Sequence, residues 1–263
     1  MTNDPKPLMT KVPAVTIGFW AIKILATTFG ETAGDTVSMS MNLGYLVGTG
    51  IFGVLLAGLV AFQIRATRFH PFLYWATIIA STTAGTTMAD FATRSLGIGY
   101  PGGSLLLLGA VLASLGIWHR ALGSISVDSV HEPKAELYYW LTITFSQTLG
   151  TALGDWVADG PLGYPGAAMV FGVVLALLAL AYVRSSISRV GLFWAAFIVT
   201  RPLGAVIGDF LDKPVAHGGL ELSRAGASLV LGLVIATLIL ALPQGAERVG
   251  SRRARATATV IPN

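Results

Sequence analysis

Five carboxylates stand in stretches of this chain that are otherwise apolar. Asp35, Asp90, Asp155 and Asp209 each follow a tryptophan by fifteen residues, the tryptophans being Trp20, Trp75, Trp140 and Trp194. Glu31 precedes Asp35 by four residues, one helical turn. An ionisable side chain at membrane depth costs roughly 2.5 to 3.5 kcal/mol on insertion scales, so such groups face inward, towards a countercharge, a proton or a bound cation. The oxygen donors around them are carboxylates, hydroxyls, one amide and backbone carbonyls. That set suits hard cations such as Mg²⁺, Mn²⁺ or Ca²⁺. The chain has no cysteine, and His70, His119, His131 and His217 lie outside the acidic stretches, which disfavours Cu⁺ or Zn²⁺.

The full pattern is Trp-x9-Gly-x4-Asp, and it occurs four times without a gap: Trp20–Gly30–Asp35, Trp75–Gly85–Asp90, Trp140–Gly150–Asp155 and Trp194–Gly204–Asp209. Counting from each tryptophan at about 100° per residue, positions +7, +11 and +15 share one face of a helix. Position +7 is Thr27, Thr82, Gln147 and Arg201, and position +11 is Glu31, Thr86, Thr151 and Ala205. Beside this polar stripe runs a small-residue stripe: Gly30 and Gly34, Gly85 and Ala89, Gly150 and Gly154, Gly204 and Gly208. Small residues let membrane helices approach closely. The expectation is that the four acid-bearing helices close round a shared polar interior. The aspartates lie about 22 Å along the axis from their tryptophans, at the rim of an outward-facing vestibule. Glu31 is one turn deeper, and the +7 residues approach the midplane. Arg201 and Lys23 are the countercharges at this depth. Lys23 also sits near the inner boundary, from where a lysine can snorkel. Five acids against two bases leave three negative charges, which calls for a bound cation or protons.

The elements that carry these stripes are membrane helices. The 263 residues are 54% hydrophobic and 11% charged, against about 25% charged in soluble domains. Eight segments reach the length a bilayer requires: 14–34, 44–64, 70–90, 102–119, 137–156, 164–183, 190–210 and 225–242. The motif sits on the odd-numbered ones. The even-numbered ones are apolar, share Gly53, Gly109, Gly172 and Gly232, and read as packing helices. Twelve Lys/Arg fall in the termini and in the linkers after even helices, while only Arg94, Lys213 and Arg224 fall in the loops within repeats. By the positive-inside rule both termini are cytoplasmic, and all four repeats run the same way. The loop turns Gly44-Tyr45, Gly99-Tyr100 and Gly163-Tyr164 should place their tyrosines beside the carboxylates.

The predicted architecture is therefore an all-α membrane protein of eight transmembrane helices in four parallel two-helix repeats. The segments are a cytoplasmic N-terminal tail (1–13), repeat one (14–65), repeat two (69–120), a cytoplasmic linker (121–135), repeat three (136–184), repeat four (189–243) and a basic tail (244–263), disordered or resting on anionic lipid. The four Trp-x9-Gly-x4-Asp units of two spans each resemble the bacterial membrane-protein family built from four tandem copies of a repeat of unknown function. The resemblance covers about residues 15–242 and implies an eight-helix protein of the bacterial inner membrane. It implies little about activity.

The leading functional expectation is secondary transport of a hard cation. Glu31, Asp35, Asp90, Asp155 and Asp209 would be its ligands, and Thr27, Thr82, Thr86, Gln147, Thr151 and Arg201 would line the path. A proton is the natural coupling ion, with Glu31 as carrier. Two alternatives stand beside this: an organic-solute carrier using Arg201, and a non-transporting scaffold or sensor. The aspartates also admit a structural role, in ion pairs with Arg94, Lys213 and Arg201. An enzyme is disfavoured, since no nucleophile set or His-x3-His cluster occurs, and no cofactor or nucleic-acid partner is expected.

Overall fold

The computed structural model describes residues 9–127, 130 and 132–248. Among these residues are eight α-helices: α1 (Ile17–Asp35), α2 (Gly44–Arg65), α3 (Pro71–Asp90), α4 (Gly99–Leu122), α5 (Pro133–Ala158), α6 (Gly163–Arg184), α7 (Arg189–Asp212) and α8 (Arg224–Ala241). Helices α1 and α3 run on into single π-helical turns at Thr36–Ser40 and Phe91–Ser95, where the apolar periodicity has ended and loop is expected. Gly44, Gly99 and Gly163 open α2, α4 and α6 with positive φ, the conformation that favours glycine at these tight reversals.

Five helices, α2, α4, α6, α7 and α8, are long and apolar enough to span a bilayer by composition alone. Helices α1, α3 and α5 carry threonines, serines and acids that dilute their hydropathy, and those residues are buried inside the bundle. The even helices instead expose apolar side chains such as Leu46, Val54, Leu105, Leu177 and Leu229. Polar residues inside and apolar residues outside is the arrangement a lipid solvent requires.

The four odd helices form a closed inner ring in the order α1–α3–α5–α7–α1, and each even helix packs chiefly on the odd helix of the following repeat: α2 on α3, α4 on α5, α6 on α7, α8 on α1. Every repeat thus hands its second helix to its neighbour, so no repeat buries its own surface alone. The glycine stripe explains why the ring closes so tightly. A Cβ at Gly30 would fall 2.0 Å from Thr82 Oγ1, at Gly85 2.9 Å from the Gln147 backbone, at Gly150 2.2 Å from Arg201 Cγ, and at Gly204 2.1 Å from Thr27 Oγ1. The +10 glycine of each helix therefore receives the +7 residue of the next, all the way round. One turn further, Gly34 meets Thr86, Gly154 meets Ala205 and Gly208 meets Glu31. The threonines bridge the seams: Thr82 Oγ1 donates to the Ala26 carbonyl (3.2 Å), Thr86 Oγ1 to Gly30 (3.2 Å) and Thr27 Oγ1 to Thr200 (3.3 Å).

The shared glycine of the even helices behaves differently from the expectation of a packing position. Gly53, Gly109 and Gly172 have no atom within 4 Å of an added Cβ, and only Gly232 touches a neighbour, Phe29. The reason is that the even helices contribute one narrow face to the bundle, and these glycines lie off it.

The tryptophan end of the ring is filled by aromatic side chains. The residue before each tryptophan is also aromatic, and it packs tilted or edge-on against the tryptophan of the next repeat: Phe19 against Trp75 (5.5 Å between centroids), Tyr74 against Trp140 (5.6 Å), Tyr139 against Trp194 (6.2 Å) and Phe193 against Trp20 (5.9 Å). The Tyr74 and Tyr139 hydroxyls share a 2.6 Å hydrogen bond. This layer is covered by a strand, β1 (Met9–Pro13), paired antiparallel with β2 (Ala246–Arg248). Lys11 ties the strap down. Its Nζ donates to the last carbonyls of α2, at Gln63 (3.2 Å) and Ile64 (3.0 Å), and pairs with buried Glu136 at 2.5 Å. The linker after α4 is not a free loop, because Val127 and Val130 are buried in the same core and Trp194 Nε1 donates to the Ile125 carbonyl at 2.9 Å. The start of the basic tail is ordered in β2, whereas residues 249–263 and the first eight residues of the N-terminal tail lie outside the described residues.

Candidate functional site

Equal spacing on four equivalent helices puts Asp35, Asp90, Asp155 and Asp209 at one depth, and the structure brings them together. Arg94 bridges Asp90 (Nε to Oδ1, 3.0 Å) and Asp155 (Nη2 to Oδ2, 3.0 Å). Lys213 bridges Asp35 (2.6 Å) and Asp209 (3.0 Å). One carboxylate oxygen from each of Glu31, Asp155 and Asp209 lies within 4.8 Å of the others, and the same holds for Asp35, Asp209 and Asp212. Asp209 belongs to both triads, so the acids form one continuous cluster.

The cluster is not the open vestibule expected from the sequence. Glu31, the four aspartates and Asp212 are each at most 5% exposed. Three cations close over them: Arg94, Lys213 and Arg224, the last donating to Asp212 at 3.2 Å and to Ser40 Oγ at 3.3 Å. These are the only Lys/Arg of the loops within repeats, and each is used in an ion pair. Burial works against the charge of Lys213, but Asp209, Asp35 and Asp212 more than offset it and hold its ammonium above the ordinary lysine range. The loop tyrosines continue the hand-on between repeats. Tyr45 lies beside Asp90, Tyr100 beside Asp155 and Tyr164 beside Asp209. The Tyr100 hydroxyl donates to exposed Asp159 at 2.7 Å.

Below the acids, Arg201 crosses the axis. It is fully buried. Its Nη2 donates to Glu31 Oε2 (2.9 Å), Thr86 Oγ1 (2.6 Å) and Thr151 Oγ1, and reaches the Thr82 carbonyl at 3.5 Å, while Nη1 donates to the Thr27 carbonyl at 3.3 Å. One guanidinium on α7 thereby bonds all three other ring helices. Gln147, at the equivalent position of repeat three, is also fully buried, and its amide has no hydrogen-bond partner among the described residues. Lys23 does not snorkel. It is fully buried, with its ammonium 4.0 Å from the centre of the Phe197 ring and no hydrogen-bond partner among the described residues. The cause is the strap and the aromatic layer, which cover the end towards which it would otherwise reach.

The six buried carboxylates of the cluster thus share four ion-paired cations, Arg94, Arg201, Lys213 and Arg224. Asp35 Oδ1, Asp155 Oδ1 and Asp212 Oδ1 are buried with no hydrogen-bond partner among the described residues. Two participants were not singled out from the sequence. Asp212 and Arg224 flank the fourth loop, which is longer than the loops of the other three repeats and unlike them in sequence. The signal that could have found them is the i, i+3 spacing of Asp209 and Asp212 on one helix face.

No curated protein and no solved structure matches this chain. A family model does match it four times, at residues 18–69, 73–123, 138–188 and 192–242, and its description is Repeat of Unknown Function (DUF347). Those matches coincide with the four helix pairs that build the ring, and the chain belongs to that family.

Proposed function

We propose that this protein is a secondary transporter of a hard cation, with divalent metals such as Mn²⁺ or Mg²⁺ as the substrate class and the buried acid cluster as its binding site. The observation that carries this reading is the triad Glu31–Asp155–Asp209, with Asp155 Oδ1 left unpartnered beside it. Two like charges within 4.8 Å of each other repel by at least about 3.5 kcal/mol at an effective dielectric of about 20. Each acid of the triad meets a base, Glu31 with Arg201, Asp155 with Arg94 and Asp209 with Lys213, but Arg94 is shared with Asp90 and Lys213 with Asp35, so the cluster keeps more acids than bases. A divalent cation, or protons carried on Glu31, offsets that excess. The donor set is all oxygen, which hard cations prefer.

The sides follow from the basic linkers. The tryptophan end with its strap is cytoplasmic and the acid end faces out, in a bacterial inner membrane, by the twelve-to-three distribution of Lys/Arg. Arg201 and Lys23 lie between the acids and the aromatic layer, so inward passage of a cation requires both to move. The solute-carrier alternative has less support, since both Nη atoms of Arg201 are occupied by protein oxygens. A role in catalysis is not proposed.

The reading is tested by binding in detergent. Mn²⁺ should raise the melting temperature of the wild-type protein, Asp155→Asn should reduce that rise, and Asp90→Asn should weaken it less. An equal response of wild type and D155N would overturn the assignment of the triad.

A further inference from the structure

We propose that the layer of Glu31, Thr86 and Thr151 is a second cation site, kept filled by the protein's own guanidinium, with Arg201 as a tethered competitor for it. Five oxygens surround the two Nη atoms of Arg201: one carboxylate, two hydroxyls and the carbonyls of Thr82 and Thr27. They come from α1, α3 and α5, and their chemistry is that of a cation cage. The fourth helix, α7, contributes no oxygen at this level, because its +11 residue is Ala205. It contributes Arg201 instead, from one turn below. A site with ligands on three sides and a tethered cation entering from the fourth is built for charge occupancy.

Two further observations separate this from a packing device. The stem of Arg201 lies in a slot made by Gly150, where a Cβ would stand 2.2 Å from Cγ, so the ring leaves room for that side chain in the seam between α5 and α7. Glu31 is shared. It holds Arg201 at 2.9 Å and also belongs to the triad with Asp155 and Asp209. A cation drawn to the triad and the guanidinium of Arg201 therefore compete for one carboxylate. Arg201 selects against weakly bound cations by occupying the cage in their absence. This selectivity role rests on the transport reading at Glu31 alone, and occupancy of the cage by a free cation does not depend on it.

The test removes the tether and supplies a free cation. Arg201→Ala, purified in detergent, should melt lower than wild type. Guanidinium chloride at about 100 times its dissociation constant should restore it by roughly 5 to 10 °C. The same guanidinium concentration should leave wild type unchanged, tetramethylammonium should have no effect on either protein, and Glu31→Gln with Arg201→Ala should lose the response. If R201A is not recovered folded without ligand, recovery as a monodisperse species from membranes solubilised with guanidinium, and not with tetramethylammonium, supports the site. No response of R201A to guanidinium, an equal response of wild type, or no recovery with either cation overturns it. Absence of metal flux in the wild-type protein would defeat the transport reading and leave this binding result standing.

Discussion

Replacing Gly150 by alanine tests the ring at the seam that holds Arg201. The new Cβ would stand 2.2 Å from Arg201 Cγ and 2.4 Å from Arg201 Cβ, with Pro202 Cδ at 3.0 Å. Carbon atoms rest at about 3.5 to 4.0 Å, so α5 and α7 must separate by more than about 1 Å. Rotation about χ1 can move Arg201 Cγ, but Arg201 Cβ and the Pro202 ring are fixed to the α7 backbone, so no rotamer change clears them. A separation of that size also stretches the bond from Arg201 to Thr151 beyond hydrogen-bonding range. Overpacking costs about 1 to 3 kcal/mol, and a hydrogen bond to a charged group contributes about 1.5 to 3 kcal/mol. The expected loss is roughly 3 to 5 kcal/mol, a fall of about 6 to 20 °C in melting temperature. Gly53→Ala is the matched control, since nothing lies within 4 Å of its added Cβ. It should be neutral, or stabilising by up to about 1 kcal/mol through helix propensity. Thermal unfolding of both variants in the same detergent decides the matter. Equal melting temperatures for the two would refute close packing of the motif glycines.

Glu31→Gln leaves the Arg201 guanidinium buried without its carboxylate and should destabilise the protein by about 3 to 5 kcal/mol. The double variant Glu31→Gln/Arg201→Met should recover most of that loss in a thermal double-mutant cycle. Tyr74→Phe removes the 2.6 Å bond to Tyr139 inside the aromatic layer and should cost about 0.5 to 1.5 kcal/mol, read in the same assay. For topology, single cysteines placed in this Cys-free chain at positions 97 and 218 should react with an impermeant reagent from outside intact cells, and one at position 125 should not.

The ring and the depth of the aspartates were legible because the motif spacing never varies. Four helices with the same offset between tryptophan, glycine and acid must place those groups in layers, and the polar and small stripes on the odd helices say which helices form the ring. What the spacing does not say is which surface meets which. That Gly30 receives Thr82, and that α2 leaves its own partner to pack on α3, are relations between repeats, and helical periodicity describes each repeat alone. The aromatic residue before every tryptophan was visible as Phe19, Tyr74, Tyr139 and Phe193, but its partner belongs to the next repeat. Asp212 escaped notice, and Arg224 counted only as a loop charge, for the opposite reason, since they flank the fourth loop, which breaks the pattern. The burial of Lys23 depends on the strap of β1 and β2, a pairing between the two chain ends that local sequence does not signal. Charge counting along the helices overstated the acidic excess, because Arg94, Lys213 and Arg224 fold back from the loops onto the acids.

The transport claim is tested most directly by flux. Purified protein in liposomes containing a metal-sensitive dye should admit Mn²⁺ at a rate well above that of protein-free vesicles. Glu31→Gln, shown to be folded by its elution as a single species, should abolish that flux or uncouple it from protons, and Asp155→Asn should slow it. Rates equal to those of empty vesicles for the wild-type protein, or full rates for both variants, would contradict the account and leave the buried carboxylates as ion-pair partners that only hold the four-repeat ring together.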